Sequence, residues 1–319
     1  MDRSFTAIAQ TEKLRARLRA ELETVGGRHD DPRLYGGEPG DPGLCGGPGS
    51  VSWMIHADLA SVAVAGPAAV LMEVLHPSVM HGVYTQSSYR TQPARRARAT
   101  LGFVLGTTFG STPGATQLVE RVKSMHGRVS GTRADGVGYR ALDPELIGWV
   151  HTCIPWAIMT AYERTRRPLS RAEKDRYLTE QARVGRMGGA AWVPETVSEL
   201  EDYVARMRPH LAMNEQTVDF LGFLVGRTYD GEGDLPAPTR AERVDAELGL
   251  VAAMALMPEW ARRMTGTYQS PWVDRAVLAP VLRARAAAVR WAIPELPCVV
   301  MARERADGGL QARTWVHVR

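Results

Sequence analysis

Helical periodicity is the feature that most constrains this fold, because it runs through nearly the whole chain after residue 50. Apolar residues recur at the spacing of one helix face over residues 93–109, 114–130, 214–227, 238–256 and 273–292. The alternation of apolar and polar residues that is typical of strands occurs only in the short tail Ala312–Val318. The pattern therefore predicts an all-α protein.

Helix starts are marked by polar capping residues. A capping residue followed at once by proline, or three positions later by glutamate, suits the free amides of a helix N-terminus. Such signals are Asp143–Pro144, Ser170–Glu173 and Thr196–Glu199. Pro67 predicts the start of another helix. That helix should stop at His76, because Pro77 disfavours helical backbone in the residue before it.

The first fifty residues differ from the rest of the chain. Thr11–Val25 predicts an exposed amphipathic helix, and residues 26–50 are so rich in glycine and proline that they predict a long irregular arm. No linker-like segment follows residue 50. The predicted organisation is therefore a helix and arm over residues 1–50, followed by one large helical domain over residues 51–319.

Composition and missing motifs exclude several classes of protein. The net charge of +4 is small and spread out, so nucleic acid is not an expected partner. No charge-free apolar run reaches the length of about 18 residues that a membrane span needs. The chain begins without an apolar signal segment and its three cysteines are far apart, so we expect a cytoplasmic protein. The patterns GxGxxG, HExxH and GxSxG and the P-loop are absent.

His126 is the histidine with the most informative surroundings. An apolar face precedes and follows it at helical spacing, formed by Leu118, Val122, Met125 and Val129. His126 lies at the edge of this face. A neutral imidazole that projects from a helix into an apolar pocket is what a proximal haem ligand requires. A core histidine bonded to a backbone carbonyl explains the same pattern, and the residues alone favour that structural role.

Two further sets of residues are candidates for a pocket. Arg96 and Thr100 in QPARRARAT are four residues apart and share a helix face. They form either a solvated basic turn or a cation and hydroxyl that bind an anion or polarise oxygen. His151, between Trp149 and Trp156, is either a structural histidine of the core or a pocket residue.

Glu73 and His76 form one ExxH motif. Helical di-iron proteins use two such motifs and two more glutamates. Because no second ExxH occurs, the sequence does not favour a di-iron centre, and His76 is interpreted as the end of its helix.

A resemblance emerges from five segments in a fixed order. They are LMEVLHPSVMHGV, YRTQPARRARAT, VKSMHGRVSG, YRALDPELIGWVHTCI and GRMGGAAWVPETVSELEDYV, and together they cover roughly residues 50–230. This succession resembles the MpaB-type oxygenase family, which includes the latex-clearing rubber oxygenases. The resemblance implies a globin-like core that holds one b-type haem.

The resemblance also implies roles for individual residues. The family's proximal histidine corresponds to His126, and its distal arginine and threonine correspond to Arg96 and Thr100. Latex-clearing proteins have, just before that threonine, a lysine that can coordinate the iron, and here Ala99 takes its place. We therefore expect an iron that is open to dioxygen or peroxide. The neighbouring residues Val122, Met125 and His151 are then expected to line the haem pocket.

The expected function is a haem b-dependent oxygenase or oxidase that acts on a small or medium organic substrate with dioxygen or peroxide. Arg96 is expected to stabilise negative charge developing on oxygen, with Thr100 beside it. The exported rubber oxygenases carry a secretion signal that this sequence lacks, so a bulk polymer is not the expected substrate. The alternatives are a non-catalytic haem-binding sensor or carrier, and a helical protein without a metal.

Overall fold

The computed structural model describes residues 3–229 and 233–308, with side chains from residue 10 onward. The described chain is helical apart from one short antiparallel hairpin, β1 Ser130–Thr132 and β2 Gly138–Arg140. The helices are α1 Arg3–Gly26, α2 Pro32–Tyr35, α3 Val51–His56, α4 Leu59–Val74, α5 Pro77–Gln86, α6 Pro93–Phe109, α7 Thr112–His126, α8 Pro144–Thr165, α9 Arg171–Gly188, α10 Val197–Met207, α11 Glu215–Leu224, α12 Arg240–Met254, α13 Glu259–Met264, α14 Pro271–Val273, α15 Ala279–Ala292 and α16 Pro297–Ala306. A 3₁₀ turn, Arg208–His210, follows α10, and a π-helical turn, Asp274–Leu278, joins α14 to α15.

The all-α prediction is confirmed by these elements, while the strand predicted at Ala312–Val318 lies outside the described residues. A globin-like arrangement of the core stays a prediction. The helices predicted over 93–109, 214–227, 238–256 and 273–292 correspond to α6, α11, α12 and the segment that ends with α15. The amphipathic helix predicted from Thr11 begins earlier, at Arg3, and ends at Gly26.

The predicted capping boxes differ in completeness. At the start of α9, the Glu173 amide donates to Ser170 Oγ at 3.2 Å, and the Ser170 amide donates to Glu173 Oε2 at 2.8 Å. At the start of α10, the Glu199 amide donates to Thr196 Oγ1 at 3.2 Å. The Glu199 carboxylate, however, accepts from the Glu195 amide at 2.8 Å instead of from Thr196. The first signal is therefore a full capping box and the second is a one-sided cap.

Pro67 does not begin a helix, contrary to the sequence prediction, but lies inside α4. A proline in a helix interior lacks an amide donor and costs about 3 kcal/mol. The helix persists because most of its apolar residues are buried, so tertiary packing outweighs local propensity. Its predicted end is confirmed, since His76 separates α4 from α5 and accepts at Nδ1 from the Ser78 amide at 3.2 Å.

The helix predicted over residues 114–130 ends at His126, four residues early. Gly127 and Gly131 are poor helix formers, and the chain after them folds into the β1–β2 hairpin. Gly136 occupies its turn with φ +83°, which glycine adopts without strain. Tyr139 of β2 is buried and anchors the hairpin on the helices. The sequence lacked the alternation that would have indicated these strands, because they are only three residues long.

The core is organised around the packing of α4 against α8. Both helices present fully buried small residues to the core, namely Ala65 and Ala68 of α4 and Ala157 and Ala161 of α8. Trp149 of α8 is also fully buried, and its Nε1 donates to the backbone oxygen of Glu73 at 3.2 Å. Small side chains let the two axes approach closely, and the Trp149 bond fixes the end of α4 beside the first half of α8.

The glycine- and proline-rich arm packs against the helical domain. Its buried side chains include Tyr35, Leu44 and Cys45. Arg305 of α16 is 3% exposed and binds the arm through main-chain oxygens. Its guanidinium donates to the oxygens of Asp41 (3.0 Å), Phe109 (3.0 Å), Gly110 (3.2 Å) and Tyr35. The arm is thus joined to α6 and α16, whereas a domain boundary at residue 50 stays a prediction.

Hydropathy and length identify no individual helix of the described chain that could span a membrane. Only α4 and α5 taken together meet those criteria, and the two are bent by 109° at the break between them.

Candidate functional site

Arg96 and Thr100 lie on the same exposed face of α6, one turn apart, as their spacing predicts. Arg96 Nη1 donates to Thr100 Oγ1 at 2.8 Å. The start of α6 is fixed by Asp234, whose carboxylate accepts from the amides of Ala94 (3.0 Å) and Arg95 (2.8 Å). This distant cap holds the first turn of α6 and so positions Arg96. No local sequence signal linked residue 234 to this helix.

His126 is the last residue of α7 and is partly buried. Burial lowers the pKa of its imidazole, and the nearby positive charge of Arg96 lowers this pKa further. The ring is therefore neutral at physiological pH, which is the form that binds a metal. Neither ring nitrogen hydrogen-bonds to another residue in the described part of the chain. The backbone-carbonyl partner that a purely structural histidine would have is thus not seen among the described residues.

Glu73, at the end of α4, is a site residue whose role the sequence analysis missed. Burial raises the pKa of its carboxyl to about 8, and the Arg96 guanidinium opposes this rise. Its carboxyl oxygens make no hydrogen bond or ion pair within the described residues. A signal was present, because Glu73 is the only charged residue in the apolar helix α4. In the sequence it stands out only as half of an ExxH motif.

Arg96 is the common electrostatic neighbour of Glu73 and His126, since its charge affects both of their pKa values. The end of α4 and the end of α7 are therefore both within electrostatic range of Arg96 on α6. Arg96 forms no ion pair with a carboxylate in the part of the chain that the structure describes. Three polar groups with unused bonding capacity are thus linked through the charge of Arg96, which is expected of groups at a binding site.

The apolar face of α7 is only partly covered by protein. Val122 is half-buried, and Met125 is 48% exposed. The deeper contacts of this helix are made by Ala115 and Val119 instead. An incompletely covered apolar surface beside His126 can pack against the flat hydrocarbon part of a bound group.

His151 lies on the side of α8 that faces α9. Its Nε2 is 2.8 Å from the main-chain oxygen of Gln181. A Cβ at Gly185 would come within 2.5 Å of the imidazole, so this glycine provides the space for the ring. Burial lowers the pKa of His151 to about 4, which keeps it neutral. These contacts match the structural role that the sequence left open, and a role in the haem pocket stays a prediction.

The donor set indicates which kind of metal group fits. No cluster of three or more histidine, cysteine or carboxylate side chains occurs in residues 3–229 and 233–308. A bare metal ion would lack ligands there, whereas a haem brings four nitrogens of its own and needs one imidazole. His126, with an apolar face on one side and Arg96 nearby, meets that requirement. The residues present therefore fit a haem better than a directly ligated ion.

Comparison with known proteins identifies the class to which this helical protein belongs. Residues 53–291 match the family described as ER-bound oxygenase mpaB/B'/Rubber oxygenase, catalytic domain. The match covers most of the chain, so the protein belongs to this family of oxygenase catalytic domains and is an oxidoreductase. This confirms the resemblance drawn from the five sequence segments.

Two mycobacterial proteins are similar to the chain. They are the uncharacterized protein Rv2237 of Mycobacterium tuberculosis and the uncharacterized protein Mb2261 of Mycobacterium bovis. Each is 26% identical over 183 residues, which cover 55% of this chain and 69% of the relative. No solved structure matches the chain.

Proposed function

We propose that this protein is a haem b-dependent oxygenase or oxidase that uses dioxygen or peroxide on a small or medium organic substrate. The observation that carries the proposal is that the charge of Arg96 acts on both Glu73 and His126, and that each of the three side chains has unused bonding capacity. Membership of the oxygenase family supplies the class of reaction. Haem b, when bound, supplies the activation of oxygen.

His126 holds the cofactor in this proposal. Its lowered pKa leaves a nitrogen lone pair free at neutral pH. Val122 and Met125 provide the apolar surface beside it. Ala99 carries no amine, so this position of α6 would offer no nitrogen ligand to a bound haem.

Arg96 and Thr100 orient and stabilise an anionic oxygen. The guanidinium is held by its 2.8 Å bond to Thr100, which leaves its other N–H groups available to a reacting group. A fixed cation that points to developing negative charge lowers the barrier, since no reorganisation is needed when the charge appears. Thr100 also donates to the Arg96 backbone oxygen at 3.0 Å, so both side chains are anchored to one helical turn.

Glu73 holds a proton next to this cation. With a pKa of about 8, its carboxyl is mostly protonated at neutral pH. A neutral carboxylic acid can donate a proton to a reacting oxygen and later accept one from the substrate. The role is that of an acid–base group positioned by α4.

Optical spectroscopy and oxygen consumption test the proposed function together. We expect the purified protein to contain b-type haem, measured as its pyridine complex, and to consume dioxygen or peroxide only when an alkene or electron-rich aromatic substrate is added. A stable ferrous–oxygen complex that no substrate discharges would instead identify a sensor or carrier. A colourless protein that does not take up added haem would refute the cofactor assignment.

The raised pKa of Glu73 predicts how stability depends on pH. The folded haem-free protein keeps a proton that the unfolded chain releases near pH 4.5, so stability should fall as pH rises from about 4.5 to about 8. Glu73→Gln removes this penalty. We expect the melting temperature of Glu73→Gln to increase relative to that of wild type as the pH rises across this range. Glu120→Gln, at an exposed carboxylate of α7, should show no such increase. Parallel melting curves for Glu73→Gln and wild type at all pH values would contradict the buried, protonated state.

A cytoplasmic location also stays a prediction, as does the absence of a nucleic-acid partner. The cytoplasmic location is supported by the cysteines Cys45, Cys153 and Cys298, which are all free thiols. Fractionation of cells that produce the protein from its natural gene would test this location.

A further inference from the structure

A pocket of about 360 Å³ lies between the N-terminal arm and the outward face of α9. The arm contributes residues 42–46 and Ser50, and α9 contributes Arg176, Thr179, Glu180, Arg183 and Arg186. This volume is in the range of small-molecule sites. Neither His126, Arg96 nor Glu73 lines it, so it is separate from the candidate catalytic site.

The one acidic side chain of the pocket is fully engaged. The Glu180 carboxylate accepts from the amides of Val51 (3.2 Å) and Ser52 (2.7 Å), where it caps the start of α3. It also pairs with Arg176 Nε at 2.9 Å. Arg176 in turn donates to the Gly49 oxygen at 2.8 Å. Both charges of this pair are therefore committed to holding the arm on α9.

Arg183 differs from the other two arginines of the pocket in its charge partners. Arg186 forms an ion pair with Glu195, and Arg176 is paired with Glu180. Arg183 forms no ion pair within the described residues, and its recorded contact is a long one, 3.4 Å from Nη1 to the Leu44 oxygen. Its side chain is exposed at the pocket. Among the described residues, the pocket lining thus contains two guanidinium groups that are paired with carboxylates and one, that of Arg183, that is not.

The remainder of the arm wall is largely carbon. Pro42 contributes an exposed apolar ring, and Gly43 and Gly46 add backbone without side chains. Leu44 is almost fully buried, so this wall is fixed by the core beneath it. An occupant therefore meets an apolar surface on one side and a cation on the other.

We propose that this pocket binds a small organic anion, with a carboxylate or phosphate group on Arg183 and an apolar body against Pro42. A guanidinium presents paired N–H donors whose geometry matches the oxygens of either group. The apolar body gains affinity by displacing water from the carbon surface. The site is independent of the proposed oxygenase reaction, so it can be tested without measuring activity.

Isothermal titration calorimetry of the purified full-length protein tests the proposal. The probes are benzoate, phenyl phosphate, inorganic phosphate and benzyl alcohol, at constant ionic strength. We expect saturable binding of benzoate or phenyl phosphate, weaker binding of inorganic phosphate and none of benzyl alcohol. Arg183→Gln should weaken the binding of the organic anion about tenfold or more, as expected when a charged hydrogen-bond partner is removed. The matched control is Arg171→Gln, at an exposed arginine on α9 outside the pocket, which should bind like wild type.

The possible results have distinct meanings. Binding of benzoate alone or of phenyl phosphate alone supports the site and identifies the anionic group. Inorganic phosphate that binds as tightly as phenyl phosphate overturns the apolar half of the proposal. If neither benzoate nor phenyl phosphate shows saturable binding, the site itself is overturned. Equal binding by Arg183→Gln and wild type also overturns it. Because Arg183 is exposed, its variant should keep the wild-type melting temperature, which verifies that it is folded.

Discussion

Replacing His126 by alanine is expected to remove most of the haem from the purified protein. The proposed iron bond is made by this side chain alone, and no other histidine in the described chain is recorded beside Arg96. Haem retention should fall by about tenfold or more, since even the loss of a group that only supports a metal ligand costs about 10- to 100-fold in affinity. The measurement is haem per mole of protein after gel filtration, together with circular dichroism to show that the helices are intact.

Two companion variants sharpen this result. His126→Gly leaves a space that free imidazole can fill, so added imidazole should restore haem binding and the wild-type spectrum. His210→Ala, in the turn after α10, changes a histidine that lies outside the cluster and should keep its haem. An unchanged haem content and spectrum in His126→Ala would reject this residue as the ligand.

Replacing Arg96 by alanine is expected to leave haem in place and to lower turnover per bound haem by roughly ten- to a thousand-fold. This is the range observed when one preorganised donor to a developing oxyanion is removed. The control is Arg95→Ala, because Arg95 is the adjacent exposed arginine and its guanidinium bonds to Gln92 at 2.8 Å. Wild-type turnover per haem in the Arg96 variant would refute a catalytic role and leave only a structural one.

The same variant should change the pH profile, because Arg96 acts on two titrating groups. Its charge opposes the raised pKa of Glu73 and adds to the lowering of the His126 pKa. Without it, the pKa of Glu73 should rise further and that of His126 should move upward toward its ordinary value. We expect the limb of the pH–activity profile that reports Glu73 to shift to higher pH in this variant. An arginine that only stabilises the surface would leave that limb unchanged.

Much of the secondary structure and part of the site could be predicted from the sequence, because both follow from local spacing. Four residues separate Arg96 from Thr100, so a helix necessarily places them on one face. The capping box at Ser170 and the helix end at His76 likewise depend on residues close together in the chain. The structure bears out each of these because no distant contact competes with them.

Other features depend on contacts between distant residues and were decided only by the tertiary fold. Pro67 lies within α4 because burial of that helix against α8 outweighs the local cost of an interior proline. Glu73 joins the site because the tertiary fold brings its carboxyl within electrostatic range of Arg96, whereas in the sequence it appeared only as half of a single ExxH motif.

The sequence by itself determined that this protein is helical, where many of its helices begin and end, and which family it belongs to. Only the tertiary structure decided that the charge of Arg96 acts on both Glu73 and His126, that His151 faces α9 and that the arm folds onto α6 and α16. The physical reason is the range of the forces involved. Capping and periodicity act within one or two helical turns, while desolvation and charge–charge effects depend on every element that packs around a group.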